Sequence, residues 1–215
     1  MDETILLWVN GHYNDFLDAF MPVMTHRFAW IPMYIAIAYA VFRTLAWRDA
    51  LLFLLAVTLT TVLADQIGAS LIRPAVARLR PSNVDNPLSA VIHIVDGYRG
   101  GAYGMPSCHA ANTVGLLTLL LLRFRGRLFH VMMVTWVIMQ VYSRMYLGVH
   151  YPTDLLAGAA LGFCCAVLSF YIYVRASIKL LPAVPQREPL RKAAAPLSLF
   201  VLSFLAMTLW AAVSM

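Results

Sequence analysis

The apolar positions of this chain gather into long uninterrupted runs instead of alternating with polar ones. Runs of this kind with few charges read as membrane spans, since crossing ~30 Å of hydrocarbon takes roughly 20 helical residues. Six stretches qualify: about 29–46, 50–72, 108–122, 128–147, 152–174 and 195–214. The third is short, so its start must lie at or just inside the membrane surface. Backbone groups in lipid must bond internally, and without strand alternation the six runs predict six helices. The expected fold is therefore all-α, one polytopic membrane domain spanning residues 1–215. Residues 1–28 have a different texture: Leu6, Leu7, Trp8, Val9, Phe16, Leu17, Phe20 and Met21 are interrupted by Asn, His and Asp. That mixture suits an interfacial helix or hairpin better than a span. Asp2 and Glu3 stand where a secretory signal would carry basic residues, so no signal peptide is expected.

Composition agrees: 61% of residues are hydrophobic and 12% charged, against roughly a quarter charged in soluble domains. The net charge of +6 is informative through its distribution. Arg43, Arg48, Arg123, Arg125, Arg127, Arg175, Lys179, Arg187, Arg191 and Lys192 fall on one side of the expected spans. The positive-inside rule makes that side cytoplasmic and puts both termini outside. No basic run interleaves with aromatics as a nucleic-acid groove requires. Three cysteines suggest no disulfide framework; Cys164 and Cys165 lie mid-span, where cysteine acts as a small apolar residue. Gly158-x3-Gly162 reads as a helix-packing motif. The segment 182–196, with Pro182, Pro185, Pro189 and Pro196, reads as a cytoplasmic linker.

Three polar stretches reach the outer face: Arg73 to Pro81, Gly104 to His109, and Ser143 to Asp154. Ionisable residues at membrane depth are functional candidates by default. Arg73, Arg80 and Arg144 would repel one another on convergence unless an anion sat between them, and guanidinium groups match phosphate oxygens. Pro106 before Ser107 marks a helix N-terminus, whose free N–H groups favour phosphate; the Ser107 hydroxyl adds a donor. Asp154 lies one turn beyond His150 and can accept its Nδ1–H, leaving Nε2 as base or nucleophile. His109, on another helix, is free to protonate a departing alkoxide. Asp65 could orient an arginine or bridge to a neighbouring helix, and Asn112 could bond within the bundle or orient His109. The outer loop from about 82 to 105 is long enough to cover a site, with Tyr98, Arg99 and Tyr103 as candidates for headgroup contact.

These residues resemble the type-2 phosphatidic acid phosphatases, or lipid phosphate phosphatases, of the bacterial membrane-embedded kind. The family pattern is Lys-x6-Arg-Pro, Pro-Ser-Gly-His and Ser-Arg-x5-His-x3-Asp. This chain has Arg73-x6-Arg80-Pro81, Pro106-Ser107-Cys108-His109 and Ser143-Arg144-x5-His150-x3-Asp154. The resemblance implies that His150 attacks phosphorus to form a phosphohistidine, with Asp154 orienting it. It further implies that His109 protonates the leaving oxygen and then activates water. Arg73, Arg80, Arg144 and Ser107 would hold the phosphate oxygens, joined by the backbone N–H of Cys108. The family needs no metal or other cofactor, and no protein partner is implied. The substrate would be a membrane lipid phosphate (undecaprenyl pyrophosphate, a lipid A phosphate or phosphatidylglycerol phosphate), cleaved at the periplasmic or extracellular side of the cell (inner) membrane. The non-enzymatic alternative is an arginine-lined anion or lipid transporter, which would predict broken helices near the midplane or internal repeats. Two positions depart from the pattern: Arg73 replaces Lys, and Cys108 replaces Gly.

Overall fold

A computed structural model describes residues 1–181 and 188–214; Pro182, Pro185 and Arg187 of the expected linker lie outside them. The described chain is mostly helical: α1 (Asp2–Asn10), α2 (Asp15–Thr25), α3 (Ile31–Thr44), α4 (Trp47–Asp65), α5 (Arg73–Val76), α6 (Cys108–Arg123), α7 (Arg127–Tyr146), α8 (Pro152–Leu180) and α9 (Ala194–Val213). Three helical stretches are long and apolar enough to cross a membrane, namely Trp47–Val76, Pro152–Leu180 and Ala194–Val213, and Cys108–Arg123 is a shorter apolar helix. The longest two outrun the apolar windows of the sequence, continuing to Val76 and Leu180.

The N-terminal segment forms two short helices. Asn14 starts α2 by accepting the Leu17 N–H on its side-chain oxygen at 2.9 Å, an ordinary N-cap. Helix α1 is stitched to the rest through the buried Asn10, whose amide donates to the Tyr146 and His93 carbonyls at 2.7 and 3.0 Å. Beside it, Leu6 packs with Ile92 and Tyr151. The core between α3, α7 and α9 is aromatic, with Trp30 edge-on to Trp136 and stacked on Phe200.

Between α4 and α5 the helix widens into π geometry over Gln66–Ile72. Such turns recur at functional sites, and here the wide turn delivers Arg73 to the start of α6. Helices α6 and α8 pack backbone to backbone. A Cβ built on Gly158 would lie 2.2 Å from the Ser107 carbonyl oxygen, and one on Gly162 would lie 2.0 Å from that of Ala111. The small-residue motif therefore lets two backbones touch, which sets the Ser107 end of α6 beside the Asp154 end of α8.

At the other end of α4, α6 and α8 stands a buried charge network. The Arg123 guanidinium donates to Tyr173 OH and to Asp49 Oδ2, each at 2.9 Å, and to Glu188 Oε1 at 3.3 Å. Phe124–Arg125 (β1) pairs in parallel with Glu188–Pro189 (β2). The described part of the expected linker is thus tied to the end of α6 before α9 begins at Ala194.

Candidate active site

The polar stretches converge where α5, α6, α7 and α8 meet. His150, 2% exposed, lies just before Pro152 opens α8. Its Nε2 is 2.9 Å from Arg80 Nη1. A guanidinium can only donate, so Nε2 must be the lone-pair nitrogen and the proton of neutral His150 sits on Nδ1. Arg80 is aimed by its other bonds, Nε to the Tyr103 carbonyl at 3.1 Å and Nη1 to that of Val149 at 3.0 Å. Burial, then the charges of Arg80, Arg144 and Arg73 with His109, hold the His150 imidazole well below its ordinary pKa. Burial and the neighbouring Arg144 and Arg73 bring Arg80 itself down to about 10, still charged at neutral pH.

Asp154 is fully buried. Its Oδ2 accepts the Tyr151 N–H at 3.0 Å, closing the first turn of α8, and stands 3.5 Å from His150 Nδ1. Among the described residues that Nδ1 has no hydrogen-bond partner. The two groups stand close without the expected hydrogen bond, because capping the helix engages the nearer oxygen. Gly104 backs onto both groups: a Cβ there would lie 2.7 Å from Asp154 Oδ2 and 3.5 Å from His150 Nδ1.

Arg73 Nη2 donates to the Pro106 carbonyl at 3.0 Å and to Cys108 Sγ at 3.1 Å. The Cys108 thiol is therefore engaged through its side chain as well as standing at the helix start. Ser107 caps α6, its Oγ accepting from Ala110 N at 3.4 Å. Its own N–H donates to the Asp154 carbonyl at 2.9 Å, binding the second motif to the third. Arg144 donates to Thr25 Oγ1 at 3.2 Å and to Tyr98 OH at 3.3 Å. Burial works against ionisation of Tyr98, but the Arg144 charge and hydrogen bond hold its phenol below the ordinary range.

His109 Nε2 is 2.6 Å from Gln140 Oε1. The Gln140 amide nitrogen donates to the Met24 carbonyl at 2.9 Å, which leaves its oxygen facing the histidine. Neutral His109 therefore carries its proton on Nε2. Gln140, one polar residue in an apolar run, carries no motif that marks it beforehand. Asp65 accepts from Asn112 Nδ2 at 3.0 Å, so these two link α4 to α6 and neither reaches His109 or an arginine through this bond.

A cavity of about 450 Å³ opens on His109 and Arg144 and is walled further by Thr25, Arg27, Asp96 and Tyr98. Of the three candidates for headgroup contact, Tyr98 lines this cavity and Arg99 and Tyr103 do not. The Arg99 guanidinium donates to the Ser82 carbonyl at 2.7 Å, clasping its own loop, and Tyr103 offers Arg80 its backbone carbonyl. Thr25, Arg27 and Asp96 carry no motif, and their segments meet the motifs only in the folded chain. A second cavity of about 260 Å³ joins His109 to Asn112 and Tyr34. An apolar groove of about 400 Å³ lined by Ile37, Val41, Val57 and Leu116 continues from Tyr34 and Asn112.

The family model described as the PAP2 superfamily matches residues 49–178. A lipid A 4'-phosphatase of Bacteroides thetaiotaomicron is 42% identical over 185 residues, 86% of this chain and 82% of that relative. A lipid A 4'-phosphatase of Porphyromonas gingivalis is 34% identical, covering 81% of this chain and 75% of its own length. The crystal structure of a transmembrane PAP2-type phosphatidylglycerolphosphate phosphatase from Bacillus subtilis shares the fold at a TM-score of 0.58 and 21% identity, over 84% of this chain and 86% of that one. The chain is a membrane phosphatase that belongs to the PAP2 superfamily.

Proposed function

We propose that this chain removes the 4'-phosphate from a lipid A-type phosphoglycolipid through a phosphohistidine on His150. The observation that carries the reading is the 2.9 Å contact by which Arg80 keeps His150 Nε2 unprotonated, with Arg73 and Arg144 among the charges acting on it. Nε2 attacks phosphorus, the P–N bond forms and the bond to the sugar oxygen breaks. His109 gives that oxygen its proton, and the dephosphorylated lipid leaves. Water then attacks phosphorus, His109 takes its proton, the P–N bond breaks and inorganic phosphate departs. Arg73, Arg80, Arg144 and the Ser107–Cys108 helix start hold the oxygens on which charge accumulates, an electrostatic clamp of the kind that dominates phosphoryl transfer. Asp154 stabilises the His150 imidazolium character as the bond forms.

The substrate assignment follows the names of the two relatives and is supported by the cavity beside His109. Its wall mixes the Thr25 hydroxyl, Arg27, the Asp96 carboxylate and the Tyr98 phenol, a set of donors and acceptors that suits a hydroxylated sugar. The apolar groove reached through Tyr34 and Asn112 would take acyl chain.

In this reading the chain is one domain that crosses the cell (inner) membrane six times, α3, α4 with α5, α6, α7, α8 and α9, while α1 and α2 lie at the interface. The ends of α3, α6 and α8 that carry Arg43, Arg123, Arg175 and Lys179 point away from the site. By the positive-inside rule those ends are cytoplasmic, so the site faces the periplasmic or extracellular side.

Purified protein in micelles, given lipid A, undecaprenyl pyrophosphate or phosphatidylglycerol phosphate separately, tests this directly. Phosphate release should be fastest from lipid A, and mass spectrometry should show the product keeping its 1-phosphate. Faster release from either of the other lipids, or loss of the 1-phosphate, would contradict the substrate assignment.

A further inference from the structure

We infer that Arg78 and Asp2 form a charge relay behind Asp154 that sets the protonation midpoint of His150, making both positioning residues for the phosphatase reaction. The inference rests on the assignment of His150 as nucleophile.

The geometry begins with the Asp154 oxygen that faces away from His150. Oδ1 lies 3.2 Å from Arg78 Nη1, and the same nitrogen donates to Thr153 Oγ1 at 2.6 Å. The other terminal nitrogen, Nη2, meets Asp2 Oδ2 at 2.6 Å. Asp2 also reaches the start of α8 by itself, accepting the Thr153 N–H at 3.0 Å and the Thr153 hydroxyl at 2.6 Å. The guanidinium lies 3.8 Å over the ring of Tyr151, whose N–H engages the other Asp154 oxygen. Planar contact, fork and ring together fix Arg78 as a lysine could not. Although burial pushes the Asp2 carboxyl upward, the bonds from Thr153 and Arg78 hold it below its ordinary value, so it is ionised at neutral pH.

Charge now runs in alternating sign from His150 outward: Asp154 negative, Arg78 positive, Asp2 negative. His150 is faced on its other sides by cations, Arg80 from the outer loop, Arg73 from α5 and Arg144 from α7, with His109 from α6. Asp154 is therefore the acidic group nearest to it, and the pull of that carboxylate on an imidazolium depends on what neutralises it from behind. Arg78 weakens the pull and Asp2 restores part of it. Among the described residues the Arg78 side chain bonds to Asp154, Thr153 and Asp2 and to none of the residues assigned to phosphate.

The signs give opposite predictions for two variants. With Arg78→Ala the Asp154 and Asp2 charges act undiluted, the imidazolium gains stability, and the His150 midpoint rises. With Asp2→Asn the Arg78 charge stands uncompensated and the midpoint falls. A shift of about half a pH unit each way is expected for charges at this remove in a partly screened site. Arg78→Lys keeps the charge and should hold the midpoint near that of the parent while lowering kcat, since the fork is lost.

The experiment is the titration of ring signals of isotope-labelled histidine in full-length protein in micelles, assigned through His150→Gln, alongside the pH profile of kcat/KM for phosphate release from lipid A. The expected result is opposite displacement of the His150 midpoint in Arg78→Ala and Asp2→Asn, with the acid limb of kcat/KM moving the same way in each. Shifts in the same direction, or an unmoved midpoint in folded variants, would overturn the relay. The titration needs no turnover, so an error in the substrate assignment would silence the kinetic arm alone and leave this arm to decide.

Discussion

Arg73 and Cys108 stand where the family pattern has lysine and glycine, and in the folded chain they touch at 3.1 Å. A guanidinium with one nitrogen on a thiol and a carbonyl presents its remaining N–H groups in a fixed plane, whereas an ammonium on a shorter reach would need no such support. The two departures are therefore one feature, and each should be costly without the other. Cys108→Gly and Arg73→Lys are each expected to lower kcat/KM, and the double variant to lose less than the product of the two. Contacting residues commonly couple by about 1 kcal/mol, or roughly a fivefold discrepancy from multiplicative loss. A steady-state double-mutant cycle measures it; strictly multiplicative losses would separate the two positions. Much of this scale was legible beforehand, because motif spacing names Arg73, Arg80, Ser107, Arg144 and His150 without any fold. What spacing cannot show is which atom of each residue is already engaged. Asp154 uses one oxygen to cap its own helix, and Arg99 uses its guanidinium to clasp its own loop.

At the scale of elements the site depends on how closely α8 approaches α6. Ser107 donates to the Asp154 carbonyl only because Gly158 and Gly162 remove the side chains that would hold the helices apart. Gly162→Ala would set a methyl 2.0 Å from a backbone carbonyl oxygen, so α6 must move. Overpacking of this kind costs about 1–3 kcal/mol, and thermal unfolding in micelles should fall by several degrees with activity falling further, since the helix start and Asp154 separate. Equal stability and full activity would show that the contact does not position the site. The helices themselves were legible as apolar runs. The π turn at Gln66–Ile72 was not, since it changes the angle at which Arg73 emerges without altering the hydrophobic pattern. The pairing of β1 with β2 was hidden for another reason: two residues on each side carry no periodic signal, and the Arg123–Glu188 contact joins segments 65 positions apart.

Across the whole molecule, the candidate site and the Arg123 network occupy opposite ends of the same helices. The Arg123, Asp49, Tyr173 and Glu188 network closes the end remote from His150 around a buried, paired guanidinium. The near end is assembled from almost every part of the chain: α1 through Asp2, α2 through Thr25, the outer loop through Arg80 and Tyr98, and α5 to α8 through the motif residues. That breadth explains why Thr25, Asp96, Gln140 and Asp2 could not be read as site residues from a linear pattern, although each lies within reach of a group that was. The most direct test is to mix the protein with lipid A carrying labelled phosphate, quench within the first turnover in alkali, and map the label by peptide mass spectrometry. An acid-labile, alkali-stable phosphate is expected on His150 of the parent and is absent in His150→Gln. Label on any other residue, or phosphate release at the parent rate from His150→Gln, would contradict it.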